Sequence, residues 1–171
     1  MTRSEFNRRS APMTIILALA GTLWGCAASG DSRANPVPAS TRPPVQVQLT
    51  VGLPSDADGN GYPDTVQALA YLFPASDDTR ESKLPVAAKG SFEFVMQNAA
   101  GTVLARWVFP PDVVDRAARH LPAGVGYSMY LRLAEGEDVM APMGVDIRCR
   151  FITADGADVR GLGRATVRLG G

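Results

Sequence analysis

Apolar and polar side chains alternate with a period of two in several segments of this 171-residue chain. In the clearest segment, the apolar members are Val145, Ile147, Cys149 and Phe151, and every residue between them is polar. The alternation recurs in residues 45–51, 91–98, 102–109, 127–133 and 164–169. Successive side chains of a strand point to opposite faces of a sheet, so the pattern predicts strands buried on one face. It excludes a parallel sheet that is covered on both faces.

Turn residues join these segments into hairpins. Residues 98–101 end on a glycine between two candidate strands, and Asp155 with Gly156 forms a strong hairpin dipeptide near the C-terminus. Two prolines then precede residues 112–120, whose spacing predicts a short helix. With a more apolar candidate strand at residues 67–73, the sequence predicts a mainly β (all-β) fold. The expected architecture is an antiparallel β-sandwich of about seven strands with one short helix.

The same spacing predicts which side chains form the core. One face of the first central hairpin strand carries Phe92, Phe94 and Met96. One face of the second carries Val103, Ala105, Trp107 and Phe109. The apolar side of the short helix is expected to carry Val113, Val114, Ala117 and Leu121.

The N-terminal residues have the layout of a secretory signal. Three arginines, at positions 3, 8 and 9, precede an uncharged run over residues 13–23. That length matches the apolar region of a signal peptide, about 7–15 residues, and falls short of the roughly 20 residues that a spanning helix needs. Residues 27–44 are rich in Pro, Ala and Ser, which is typical of a disordered, semi-stiff tether. The predicted division is a signal peptide at 1–25, Cys26 and the tether at 26–44, and a β-sandwich domain at 45–171.

The end of the signal, Leu23-Trp24-Gly25-Cys26, resembles the lipobox of bacterial lipoproteins. The resemblance depends on the leucine three positions before the cysteine and the small residue directly before it, while Trp24 departs from the smaller residue that is usual there. It implies cleavage before Cys26, a diacylglyceryl group on its thiol, and acylation of the new amino terminus by a fatty acid such as palmitate. Several acyl chains would anchor the protein stably, because each buried CH₂ contributes about 0.8 kcal/mol. The implied location is a membrane of the cell envelope, facing the periplasm or the exterior; ordinary secretion is the alternative.

The number of cysteines argues against a disulfide-stapled domain, and the charge argues against a nucleic-acid binder. The chain has two cysteines, so a lipidated Cys26 leaves Cys149 without a disulfide partner. Alternation puts Cys149 on an apolar face, where we expect a small core residue rather than a reactive thiol. Without residues 1–25 the chain holds 14 basic and 16 acidic residues, a net charge of −2. That balance argues against a nucleic-acid binder, which needs a strongly basic surface.

Oxygen-bearing side chains recur at alternate positions between the first two candidate strands. They are Asp56, Asp58, Asn60, Tyr62 and Asp64. Ca²⁺ takes six to eight oxygen ligands, and Gly61 permits a sharp turn after the third of these residues. The segment resembles the calcium loops of EF-hand-like modules, dockerins and thrombospondin type 3 repeats. The resemblance implies that Asp56, Asp58 and Asn60 give side-chain oxygens, Tyr62 its backbone carbonyl, and Asp64 a direct or water-mediated contact.

The calcium resemblance covers about a dozen residues and is incomplete. The bidentate glutamate that ends an EF-hand loop is replaced by Gln67, and no pair of flanking helices is evident. The alternative is that Asp-Gly and Asn-Gly are turn dipeptides that join two strands without a metal. Both interpretations stay open, and a bound Ca²⁺ would be a structural cofactor that holds mutually repelling carboxylates together.

Four arginines are predicted to share the outer face of the last hairpin. They are Arg148 and Arg150 on one strand and Arg164 and Arg168 on the other. Such a face can bind an anionic glycan, a phosphate or an acidic partner. The alternative is a solvated sheet face whose charges are balanced by Asp146 and neighbouring loops.

The sequence contains no recognised catalytic pattern. His120 is the single histidine and is expected near the end of the short helix, and neither a Gly-x-Ser-x-Gly motif nor a glycine-rich phosphate loop occurs. The first functional hypothesis is a non-catalytic envelope lipoprotein that contacts another protein or a surface polymer. The second is a small-ligand or glycan binder that uses the exposed aromatics Tyr62, Tyr71 and Tyr130. The third is an enzyme with an unfamiliar site.

Overall fold

The computed structural model describes residues 37–75 and 84–170. The predicted signal peptide, Cys26 and the predicted tether as far as residue 36 lie outside the described residues, as do residues 76–83 and 171. Within the described part of the chain, two antiparallel sheets pack together, accompanied by one short helix. The predicted antiparallel β-sandwich is therefore confirmed, with nine described strands where about seven were expected.

The elements are named here in chain order. They are β1 (Pro44–Ser55), β2 (Thr65–Pro74), β3 (Gly90–Asn98), β4 (Val103–Phe109), α1 (Pro111–Ala117), β5 (Ala118–Leu121), β6 (Gly124–Arg132), β7 (Met143–Thr153), β8 (Asp158–Arg160) and β9 (Ala165–Leu169). One sheet has the strand order β1-β2-β6-β5, and the other has the order β4-β3-β7-β8, with β9 also paired to β7. No helix in the described part of the chain has the length and apolar character needed to cross a bilayer.

The core lies between the two sheets and is built from the inward members of the alternating strands. Phe92 lies at its centre, with ring centroids 4.8 Å from Phe151, 5.2 Å from Tyr127 and 5.9 Å from Phe94. The Tyr127 hydroxyl accepts a hydrogen bond from the Ala88 N–H at 2.9 Å and donates one to the Ala88 carbonyl at 3.2 Å. Its polar atom is thereby satisfied inside an apolar cluster. The predicted inward face of β3 is fully buried, as the alternation requires.

A bulge in the β3–β4 hairpin corrects the prediction for Val103. Met96 pairs with Ala105, but Gln97 pairs with Val103, so Leu104 is an extra residue in β4. One extra residue reverses the face on which the side chains on its far side lie, here that of Val103. Val103 is therefore 43% exposed instead of buried in the core.

The short helix ends earlier than predicted. Ala118 has an extended backbone (φ −64°, ψ 133°), and residues from Ala118 to Leu121 pair with β6 as strand β5. His120 and Leu121 therefore lie in a strand, and the predicted helical positions of both residues are wrong. A helix this short forms few internal hydrogen bonds, so pairing with an adjacent strand outweighs its weak propensity.

The sandwich makes contacts ahead of the predicted domain boundary. The strand β1 begins at Pro44, one residue before the predicted start of the domain. Val37 already packs against the core, and the Ser40 N–H donates to the Ala87 carbonyl at 2.7 Å. The last residues assigned to the tether thus lie against the folded body.

Candidate functional site

The arginine face is created by the alternation of β7. Val145, Ile147, Cys149 and Phe151 point inward, so Arg148 and Arg150 point outward and are exposed. The neighbouring strand β3 lies beside β7 along its whole length, which places Val95 opposite Arg148 and Glu93 opposite Arg150. The arginines predicted from the sequence therefore lie beside residues of β3 that no local sequence pattern associates with them.

These side chains line a groove of about 600 Å³ on the outer face of the five-stranded sheet. We call it the arginine groove, and its charged lining residues are Arg106, Arg148, Arg150, Arg160, Arg164, Glu93 and Asp158. Three of the four predicted arginines line it, and Arg168 does not. Arg106 on β4 and Arg160 on β8 were not predicted, because only the strand order brings them to this surface.

The wall of the groove is formed by the link between β8 and β9. The Gly161 N–H donates to the Cys149 carbonyl at 3.1 Å, and the Leu162 N–H donates to the Val47 carbonyl at 3.0 Å. A Cβ atom on Gly161 would lie 2.8 Å from that Cys149 oxygen, a distance that side chains do not adopt. Glycine at this position therefore lets the link approach β7 closely enough to fix the wall.

Three of the groove arginines are neutralised by carboxylates. Arg150 donates from Nε and Nη2 to one Glu93 oxygen at 2.9 and 2.7 Å. The hydrogen bond and the charge of Glu93 raise the pKa of Arg150 above its ordinary value. The Arg160 guanidinium lies 3.4 Å from Asp158, and the Arg164 guanidinium lies 2.9 Å from Asp146. This part of the surface matches the alternative of a charge-balanced sheet face.

Arg106 and Arg148 differ from the other groove arginines. Both are exposed, and neither makes an ion pair or hydrogen bond with any residue in the described ranges. Both pair with Val95, one from each neighbouring strand, so they lie on either side of that residue on the same face of the sheet. The arginine groove thus contains two cations, one on each side of Val95, without counter-charges from the described chain.

Cys149 lies beneath the groove and is directed toward the core. It is 8% exposed and has no disulfide partner among the described residues. Burial raises the pKa of the Cys149 thiol to about 12, so the thiol stays protonated at neutral pH. These properties agree with a small core residue and not with a nucleophile.

The predicted calcium loop joins β1 to β2 and is held by its own hydrogen bonds. The Asp56 carboxylate accepts from the N–H groups of Gly59 and Gly61, each at 2.7 Å. Asp58 accepts from the Asn60 backbone at 3.1 Å, and Asn60 Oδ1 accepts from the Tyr62 N–H at 2.8 Å. Such bonds from short polar side chains to nearby N–H groups are typical of Asx turns.

Asp64 occupies a different environment from the other loop carboxylates. It is 3% exposed, accepts from the Ala57 N–H at 2.9 Å and lies 3.3 Å from the Arg132 guanidinium. Burial alone would raise its pKa, but the hydrogen bond from Ala57 and the charge of Arg132 outweigh burial and lower the pKa below its ordinary value. The ionised Asp64 carboxylate therefore links the loop to Arg132 at the end of β6.

A second loop contributes acidic residues next to the first. Asn60 Nδ2 donates to Asp138 at 2.8 Å across 78 residues of sequence, and a pocket of about 500 Å³ is lined by Asp58, Asp64, Glu135 and Asp138 together with Arg132. The donors suit Ca²⁺ in chemical type. In this arrangement, however, no three acidic, histidine or cysteine side chains in residues 37–75 and 84–170 converge as a metal-binding set. The calcium interpretation stays a prediction.

The remaining candidate residues are dispersed. Tyr71 and Tyr130 lie on the outer face of the four-stranded sheet, four residues apart in register, which corresponds to about 13 Å. Tyr62 lies in the β1–β2 loop, and His120 is exposed on β5. The structure therefore does not bring the three tyrosines into one stacking platform.

No known protein family matches this chain, and no curated protein matches its sequence. The arginine groove and the predicted N-terminal signal are the features from which a function can be proposed.

Proposed function

We propose that this chain is a lipid-anchored protein of the bacterial cell envelope whose β-sandwich is a non-catalytic binding module. The support for the anchor is in the sequence, where a short apolar run ends at the lipobox-like Leu23-Trp24-Gly25-Cys26. Residues 27–36 and the segment that follows would form the tether between the bilayer and the folded body. The protein would then act at a membrane surface outside the cytosol.

The observation that carries the binding role is the arginine groove. Two exposed guanidiniums, those of Arg106 and Arg148, belong to residues on either side of Val95 and have no counter-charges from the described residues. Unneutralised neighbouring cations favour the binding of an anion, because an anion removes their mutual repulsion and accepts their hydrogen bonds. The proposed partner therefore presents an anionic group to this face of the sandwich.

Catalysis in the same groove receives less support. The nucleophilic residue type beneath it, Cys149, has a pKa of about 12 and remains a thiol. The carboxylates of Glu93 and Asp158 are ion-paired with arginines, so neither is poised as a general acid or base. A glycan-binding role that depends on aromatic stacking is also less favoured, since Tyr71 and Tyr130 lie four residues apart in register.

The anchor is tested by detergent phase partition of the protein expressed in a bacterial host. We expect the parent chain to enter the detergent phase, and Cys26→Ser to remain in the aqueous phase. Cys149→Ala is the matched control, because it removes the other cysteine of the chain and should partition like the parent. Aqueous partition of all three proteins would contradict the proposed anchor.

The binding role is tested by titrating the full chain in neutral detergent with anionic and neutral sugars. Glucuronate should bind more tightly than glucose, and added salt should weaken binding, because exposed charges are screened. Equal binding of glucose and glucuronate, or no effect of salt, would contradict an electrostatic binding surface.

A further inference from the structure

We propose that the arginine groove binds the phosphate group of a small, soluble phosphomonoester, clamped between Arg106 and Arg148 above Val95. The inference rests on the proposed function, because it names the chemical class that the binding module takes. It is argued from the charge of the groove, the position of the two free guanidiniums and the size of the cavity.

The charge of the groove selects a doubly charged ligand. Arg150, Arg160 and Arg164 have Glu93, Asp158 and Asp146 as their respective partners. The charge left over is that of Arg106 and Arg148, which amounts to +2 within the described residues. A phosphomonoester carries a charge of about −1.5 to −2 at neutral pH, whereas a carboxylate carries −1. The phosphate therefore neutralises the excess charge that one carboxylate would leave half unpaired.

The strand order sets the geometry of the clamp. Arg106 on β4 and Arg148 on β7 are each one strand away from Val95 on β3. Neighbouring strands lie about 4.8 Å apart, so the two arginine Cα atoms are separated by about 10 Å, and the long side chains can converge above Val95. Each guanidinium presents a planar fork of N–H donors that matches two oxygens. The three terminal oxygens of a phosphomonoester can serve both forks, and the two oxygens of a carboxylate can serve one.

The cavity is larger than a phosphate group needs. Its volume of about 600 Å³ falls within the range of about 300–1,000 Å³ that is usual for small-ligand sites. Val95 forms an apolar patch between the cations, and Gln97, two residues further along the same face of β3, adds a neutral hydrogen-bonding side chain. The organic part of the ligand would lie over these residues. A soluble molecule of sugar-phosphate size fits this description.

The test is calorimetric titration of the full chain in neutral detergent with glucose 6-phosphate, glucose 6-sulfate and glucuronate. Glucose 6-phosphate should bind at least about tenfold more tightly than the two singly charged sugars, because only its second negative charge neutralises both guanidiniums. Arg106→Gln and Arg148→Gln should each weaken its binding at least about tenfold. Arg168→Gln removes the same charge from the same sheet outside the groove and should change the affinity by less than about twofold.

Each result other than the expected one overturns a defined part of the proposal. Equal affinity for glucuronate and glucose 6-phosphate, with the same dependence on Arg106 and Arg148, would overturn the phosphate assignment and leave an anion-binding groove. Binding to phosphatidic acid vesicles without binding to glucose 6-phosphate would overturn the soluble ligand. Absence of binding to all of these anions would overturn the groove as a binding surface, while the partition experiment would still decide the lipid anchor.

Discussion

Two valines of the five-stranded sheet provide a sharp test of its register. Val145 on β7 is fully buried, whereas Val103 on β4 is 43% exposed because of the bulge at Leu104. Val145→Ala removes two methyl groups from the core, at about 0.8 kcal/mol each, or about 1.6 kcal/mol in transfer free energy. The residual cavity raises the expected loss in the free energy of unfolding to about 2–3 kcal/mol. Val103→Ala should cost about 0.5 kcal/mol or less, as is usual for exposed positions.

The assay for both variants is equilibrium unfolding in urea, followed by tryptophan fluorescence and circular dichroism. Both signals should give coincident transitions with unchanged slopes, so that the midpoints report stability alone. Without the bulge, the alternation of β4 would place Val103 on the same inward face as Phe109, in the core. A loss for Val103→Ala as large as that for Val145→Ala would therefore refute the bulge and the register derived from it.

Three further predictions concern packing, pH and metal. Gly90→Ala should lower the free energy of unfolding by about 3 kcal/mol, the upper part of the range for overpacking, because the new Cβ would lie 2.2 Å from the Ile152 carbonyl oxygen. Gly144→Ala on β7 is the control, since its Cβ would meet no atom within 4 Å. Equal losses of stability for the two variants in urea unfolding would contradict this packing. Asp64→Asn should lower the free energy of unfolding by about 1–2 kcal/mol at neutral pH. The folded-state pKa of Asp64 is lowered, so the stabilisation that its carboxylate gives is present above the unfolded pKa of about 3.9 and is lost as the pH falls through the folded value. A difference in the free energy of unfolding between parent and Asp64→Asn that persists undiminished at pH 2 would contradict this account. The alternate oxygen-bearing residues of the 56–64 loop predict a structural Ca²⁺ site, so millimolar CaCl₂ should raise the melting temperature more than millimolar MgCl₂ does. Equal effects of the two salts would contradict the metal site.

Local sequence patterns correctly predicted which face of a sheet a side chain lies on, wherever that depends on a single strand. The alternation around Phe92 and around Ile147 identified inward and outward faces correctly, because the period of a strand depends on its own backbone. The same reasoning placed Arg148 and Arg150 on one outer face. These inferences need no knowledge of which strands are neighbours.

Features that depend on pairing between strands could not be predicted in this way. Arg106 joins the groove only because β3 lies between β4 and β7, an order that no local pattern encodes. The exposure of Val103 follows from one extra residue in a hairpin, and the strand conformation of His120 follows from pairing with β6. The contact between Asn60 and Asp138 spans 78 residues for the same reason.

The central claim, a lipid-anchored binding module, is tested most directly by the intact mass of the protein extracted from bacterial membranes. The account predicts a chain that begins at Cys26 and carries the added mass of a diacylglyceryl group and an amino-terminal acyl group. A mature chain that begins at another residue, or an unmodified Cys26 thiol, would contradict it.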